Sequence, residues 1–163
     1  MSDHFAWLPA LIRLADHGGS WESYEAELYD HFCNDFVHSK PTFRGVKLGL
    51  KRFPLSKGKE ATYWHMVSEG KVEDDRTIDL KRCERIRWPR PGIDNSEETG
   101  VKVWETEVKG ETRITIWLEA EDYVIILARR QSYILPWTAF VVDQEHRKRK
   151  LRAQYDAYIA ASA

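Results

Sequence analysis

Residues 123–128, YVIILA, are apolar at every position, and no other stretch narrows the choice of fold as much. Six apolar residues are far fewer than the roughly 20 that a membrane helix needs. They fit a central strand buried on both faces. The flanking sequence completes that frame. Ile114, Ile116 and Leu118 alternate with polar or aromatic neighbours, as in a strand with one buried face. Lys109-Gly110 and residues 119–122 carry turn chemistry at a spacing of about ten residues. Residues 129–132 turn the chain into a last strand over 133–141, where Pro136 demands a bulge or an edge position. The expectation is an antiparallel β-meander starting at Val101.

The chain before the meander reads differently. Trp7, Leu8, Leu11, Ile12 and Ala15 form a helical stripe that Gly18-Gly19 ends, so residues 5–16 are expected to be a first helix. Ser20 is placed to cap a second helix, with Glu22 in its first turn and Trp21, Tyr24, Leu28, Phe32, Cys33 and Phe36 on its apolar face. Val46, Leu48 and Leu50 alternate with Lys47, Gly49 and Lys51 and suggest a half-buried strand, with residues 61–68 as the return strand after a polar turn. Residues 78–87 read as a short helix stopped by Trp88-Pro89-Arg90-Pro91. Residues 92–100 fit a loop or a short helix equally. Asp143 is expected to cap a basic helix that ends near Tyr158. The fold class is therefore α+β: N-terminal helices, an antiparallel meander and a basic C-terminal helix, in a single domain over residues 1–163.

The net charge of −1 argues against a general nucleic-acid binder. Its distribution does not, because residues 1–40 hold seven acidic residues and only two basic ones, which leaves the remainder net basic. Cys33 and Cys83 are far apart and lack metal spacing or a nucleophile signature. With no secretory signal or apolar span in the sequence, the expectation is a cytoplasmic protein with reduced thiols and no membrane contact. No Walker loop, dinucleotide fingerprint, HExxH or EF-hand is present, so no cofactor and no metal are expected. The acidic triplet Glu73-Asp74-Asp75 reads as solvated.

The basic material is what remains. Arg76, Lys81, Arg82, Arg85, Arg87 and Arg90 lie within fifteen residues, opposed by Asp79 and Glu84. Arginine forks match phosphate oxygens, although a solvated helix with a Glu84–Lys81 pair explains the cluster equally well. On a helix, Arg82 and Arg85 share a face. A second run, HRKRKLR at residues 146–152, contains Arg147 and Lys148 and suits a solvated or RNA-contacting surface. His65, in TYWHMVSEG, is the best acid–base group, since an unperturbed imidazole titrates near pH 6.5. A strand histidine is more often a hydrogen-bonded structural residue, and the residues alone leave both roles open.

In element order, TYWHMVSEG, DLKRCERIRWPRP, EDYVIILARRQSYILPWTAF and the basic EHRKRKLRAQYDAY segment resemble the phage- and mobile-element-associated RNases of the barnase–EndoU–colicin–RelE superfamily. The resemblance covers most of residues 40–158. It implies metal-independent RNA cleavage by attack of the ribose 2′-hydroxyl, giving a 2′,3′-cyclic phosphate and a 5′-hydroxyl, in a toxin-like or phage-associated endoribonuclease. It places His65 in the acid–base role, Arg82 and Arg85 on the phosphate, and Thr138 on the phosphate or as an orienter of His65. Arg44, Lys51, Arg76, Arg87, Trp88, Arg147 and Lys148 would bind substrate, and Trp137, like Trp88, could stack on a base. A glutamate partner for His65 is missing from the pattern. RNA and an antitoxin or inhibitory protein are the implied partners. The alternatives are a non-catalytic nucleic-acid-binding module and a protein-interaction domain whose acidic N-terminal part docks a basic partner.

Overall fold

The computed structural model describes residues 5–72 and 75–162; Glu73 and Asp74 of the acidic triplet lie outside them. Four strands form the main sheet: β5 (Val101–Val108), β6 (Glu111–Leu118), β7 (Tyr123–Arg129) and β8 (Ile134–Val141). They are antiparallel neighbours in the order β5-β6-β7-β8, the meander that the alternation predicts. Tyr123, Val124, Ile125, Leu127 and Ala128 of β7 are all buried. Pro136 sits on the last strand, and the ladder slips there. Ile126 pairs with Thr138 and Leu127 with Pro136, so Trp137 is an extra residue. This β-bulge lets β8 carry a residue that lacks an N–H.

The two sheet faces serve different cores. Ile114, Ile116, Leu118, Ile125, Leu127 and Ile134 belong to the larger cluster, with Tyr24, Leu28, Phe32 and Tyr63 from the helical half. Trp104, Trp117 and Val124 face the opposite way, against Leu151, Tyr155 and Tyr158 of the C-terminal helix α5 (Glu145–Ser162). That helix begins two residues after Asp143, whose carboxylate is 3.1 Å from Lys81 Nζ.

Ser20 caps α1 (Trp21–Phe32), accepting from the Ser23 N–H at 3.3 Å. The helix runs on into a π-turn (Cys33–Val37). Before it, the expected first helix is absent. Residues 8–13 form neither helix nor strand, and only a 3₁₀ turn (Leu14–His17) follows. Pro9 has no N–H and disfavours helical backbone at Leu8. Phe5, Leu8 and Ile12 are buried as the stripe implies, but as a strap across the helical layer. The Ile12 N–H donates to Glu84 O at 3.0 Å, and Trp88 Nε1 donates to Pro9 O at 2.8 Å.

The Val46–Leu50 strand is also mostly lost. Thr42–Phe43 (β1) and Val46–Lys47 (β2) form a two-residue hairpin around Arg44 and Gly45, both at positive φ. Val46 is exposed, while Leu48 bridges Ile134 in parallel, and the Gly49 N–H donates to Ile134 O at 2.8 Å, flanking the β8 edge.

The expected return strand is instead a helix, α2 (Ala61–Val67), followed by β3 (Ser68–Glu69), which pairs with β4 (Thr77–Ile78). All its residues except Trp64 are buried, polar Thr62 and His65 included, so no exposed face marks a helical period. Asp79 caps α3 (Leu80–Glu84) through the N–H groups of Lys81 and Arg82. Pro89, read as a stop, opens α4 (Pro89–Asp94) at N1, where its missing N–H is no loss.

Candidate functional site

A cleft of about 420 Å³ opens at the β8 edge, where the end of α2 and the β3–β4 segment meet the β5–β6 hairpin. His65, Arg76, Arg82 and Thr138 line it together with Trp137, Lys71, Gly70 and Lys109. Four of the residues singled out in the sequence for phosphate or proton chemistry are therefore neighbours.

His65 is buried on α2. Its Nδ1 is 3.2 Å from the Trp137 carbonyl oxygen, and its ring meets the Trp137 ring edge-on at 5.2 Å between centroids. A carbonyl only accepts, so Nδ1 carries a proton, and in the neutral form of the ring Nε2 is the basic nitrogen.

Arg82 and Thr138 hold the backbone of the same histidine. Arg82 Nη1 donates to His65 O at 3.1 Å, Ser68 O at 2.7 Å and Thr138 Oγ1 at 3.1 Å. Thr138 Oγ1 in turn donates to His65 O at 3.2 Å. The hydroxyl proton is therefore spent within the protein, and of the two roles considered for Thr138, this geometry matches orientation of His65. Asp79 Oδ2, 3.4 Å from Arg82 Nε, offsets part of the arginine charge. Arg76 clips the β3 turn by donating to Ser68 Oγ, Ser68 O and Gly70 O at 2.6–2.9 Å.

Trp137 is the best-furnished ring of the site. Arg113 Cζ lies 4.5 Å from its centroid, Lys51 Nζ 5.5 Å and Arg130 Cζ 5.9 Å. Cations over an indole face are held by its quadrupole. Burial pulls the Arg113 guanidinium below its ordinary range, and Glu111 binds both Arg113 and Arg130.

Several expected site residues lie elsewhere. Arg85 is past the end of α3, so it does not share a helical face with Arg82. Its Nη1 returns to Lys81 O at 3.0 Å, and its guanidinium lies 5.2 Å from the Trp88 ring. Trp88 is buried edge-on to Tyr123, with its N–H spent on Pro9, which makes it core and not a stacking surface. Arg44 is on the β1–β2 turn, 3.3 Å from Glu97. Arg87 acts with Arg90 and His31 on Asp35, whose carboxyl burial nevertheless pushes up. Lys148 is bound to Asp122 at 2.7 Å. The expected Glu84–Lys81 pair is replaced by Lys81–Asp143 and by Glu84 with Arg13 and Arg85.

Cys83 is buried against Val67 O, and its thiol is pushed up to about 12 by that burial, which removes it as a nucleophile. Lys71 and Lys109 were not expected in the site. Both are exposed turn residues, and only the three-dimensional closure of the hairpin brings Lys109 to the cleft. Among the described residues, no helix is long and apolar enough to cross a membrane. Comparison of the chain with protein-family models, curated proteins and solved structures finds no match.

Proposed function

We propose that the protein is a metal-independent endoribonuclease, of the toxin-like or phage-associated kind, that cuts RNA by internal transesterification. The observation that carries this reading is the shared cleft, in which His65, held through Nδ1 by the Trp137 carbonyl, lies among Lys71, Arg76, Arg82 and Lys109. His65 Nε2 takes the proton of the ribose 2′-hydroxyl, and O2′ attacks the adjacent phosphorus. The P–O5′ bond breaks, leaving a 2′,3′-cyclic phosphate, and the 5′-oxygen takes a proton from a water molecule at the mouth of the cleft, the hydroxide being neutralised by the proton that His65 releases. The lysine and arginine cations stabilise the doubly charged phosphorane as it forms. Arg82 and Thr138 act as positioning residues through the His65 carbonyl.

The test is incubation of wild type and His65→Ala with RNA in excess EDTA, with the product ends identified. Cyclic phosphate from wild type alone supports the proposal. Cleavage by both proteins removes His65 from the mechanism. Absence of cleavage with salt-dependent binding favours a second reading, a non-catalytic RNA-binding module. One observation speaks for that alternative: Arg147 and Lys150 form no ion pair among the described residues, while Arg82 and Thr138 are committed to internal bonds. An antitoxin or other inhibitory protein remains a proposed partner of either form.

A further inference from the structure

The same sheet face that carries Trp137 and Thr138 has a second hollow, of about 360 Å³, between the sheet and α5. Its floor is apolar, with Ile126 of β7 and Phe140 of β8, and Val108 forms an exposed rim. Its other walls are cationic: Arg113 from β6, and Arg147 and Lys150 from α5. Such a lining suits a flat apolar group joined to anionic ones, which is the description of a nucleotide in a single strand.

The hollow adjoins the cleft. Arg113 lines the hollow while its guanidinium stacks 4.5 Å from the Trp137 ring of the cleft. Arg82 lines the cleft while its guanidinium lies 5.5 Å from the Phe140 ring of the hollow. Thr138 and Phe140 are two residues apart on one strand, a separation of about 6.6 Å. Two arginines thus form the seam between a phosphate-binding space and an apolar one. Polar groups for a base edge are also present. Gln154 Oε1 accepts from Trp104 Nε1 at 3.3 Å, which leaves its amide N–H groups as donors at the hollow wall.

We infer that this groove seats one base of a single-stranded RNA whose neighbouring phosphate occupies the His65 cleft, with Arg147 and Lys150 on the phosphate beyond. The inference rests on the RNA reading above and adds a base-binding subsite to it. Backbone phosphates alone explain the cations of α5. They do not explain an apolar floor placed between two sets of cations.

The experiment compares a fluorescent 2′-O-methyl uridylate hexamer, which lacks the attacking hydroxyl, with an abasic spacer hexamer of equal phosphate count, both titrated against the full chain. Wild type is expected to bind the base-containing strand about 10-fold more tightly, the effect of stacking one base. Phe140→Ala, which removes the floor, and Val108→Trp, which fills the hollow from its exposed rim, are each expected to erase most of that ratio. Both should leave abasic binding within about 2-fold of wild type. Val108→Trp changes a residue at the surface and keeps the test valid if Phe140→Ala does not fold. Equal affinity of wild type for the two strands, or an unchanged ratio in both variants, overturns the base subsite while leaving the RNA reading standing. Absence of salt-dependent binding to either strand overturns the RNA reading itself and the subsite with it.

Discussion

The hydroxyl of Thr138 on β8 donates to the main-chain carbonyl of His65 on α2 at 3.2 Å, tying the bulged strand to the helix that carries the imidazole. Because the same oxygen accepts from Arg82, one small side chain joins three elements at the rim of the cleft.

Thr138→Val keeps the volume and removes both hydrogen bonds. Because His65 O keeps its bond from Arg82 Nη1, and Nη1 keeps Ser68 O, it is expected to cost about 0.5–1.5 kcal/mol, the net worth of a hydrogen bond, and to lower RNA turnover more than RNA affinity. Thr138→Ser should restore most of both. Thermal melts alongside kcat and KM separate a positioning role from a purely structural one, since a structural role predicts no change in the kcat of the folded fraction.

Arg82→Lys is expected to behave almost like Arg82→Ala. A single ammonium cannot stand where Nη1 meets Ser68 O, His65 O and Thr138 Oγ1 and also face Asp79 Oδ2, which Nε approaches at 3.4 Å. Each variant should lose about 1–3 kcal/mol in urea denaturation. A lysine variant as stable as wild type would show that only the charge matters.

Glu27 accepts from His17 Nε2 at 2.6 Å and from His31 Nε2 at 3.0 Å, and these two bonds hold its carboxyl below the ordinary value of 4.5. A depressed folded-state value means stability that is present above about pH 4.5 and disappears as pH falls through the lower folded value. The carboxylate is 39% exposed, so solvent screening limits the contribution to about 1 kcal/mol at most. Glu27→Gln should therefore flatten the acid limb of a Tm-versus-pH curve without moving the melting temperature below pH 3 by more than the measurement error.

Gly92 on α4 packs against β7 so closely that an added Cβ would stand 2.4 Å from Ile125 Cδ1. Ile125 is fully buried and has little room to rotate. Overpacking costs about 1–3 kcal/mol, which outweighs the gain of up to about 1 kcal/mol that alanine brings to a helix. Gly92→Ala should lower the melting temperature; a rise would show that the α4–β7 contact is loose.

What could be read in the sequence follows from where periodicity survives burial. The meander has a polar partner beside most buried residues of β5 and β6 and turn residues at each reversal, so its strands are legible. Ser20 and Pro136 act through local backbone chemistry, and the cap and the bulge were legible for that reason. Helix α2 buries six of its seven residues and offers no alternation to read, so His65 looked like a strand residue. The stripe at residues 5–16 is a true record of burial, but Pro9 makes it an irregular strap. At the site, residue type points to His65, Arg76 and Arg82 and the family resemblance to Thr138, and the structure gathers them. Trp88 and Arg85 were chosen by the same rule from the same segment and lie in the core or against it. Chemistry in a sequence identifies what a side chain can do. Which way it faces is decided by helix ends, such as the one after Glu84, that composition does not mark.

The extra residue at position 137 has a geometric result of its own. In an even ladder, consecutive side chains leave a strand on opposite sides, so Trp137 and Thr138 could not both line one cleft. The slip between Ile126 and Leu127 cancels that alternation for a single step. An aromatic surface and a hydroxyl clamp are thereby drawn from adjacent positions of one strand. Deleting one residue there would restore the pleat and send one of the two inward: a small sheet would keep its fold and lose one wall of its cleft.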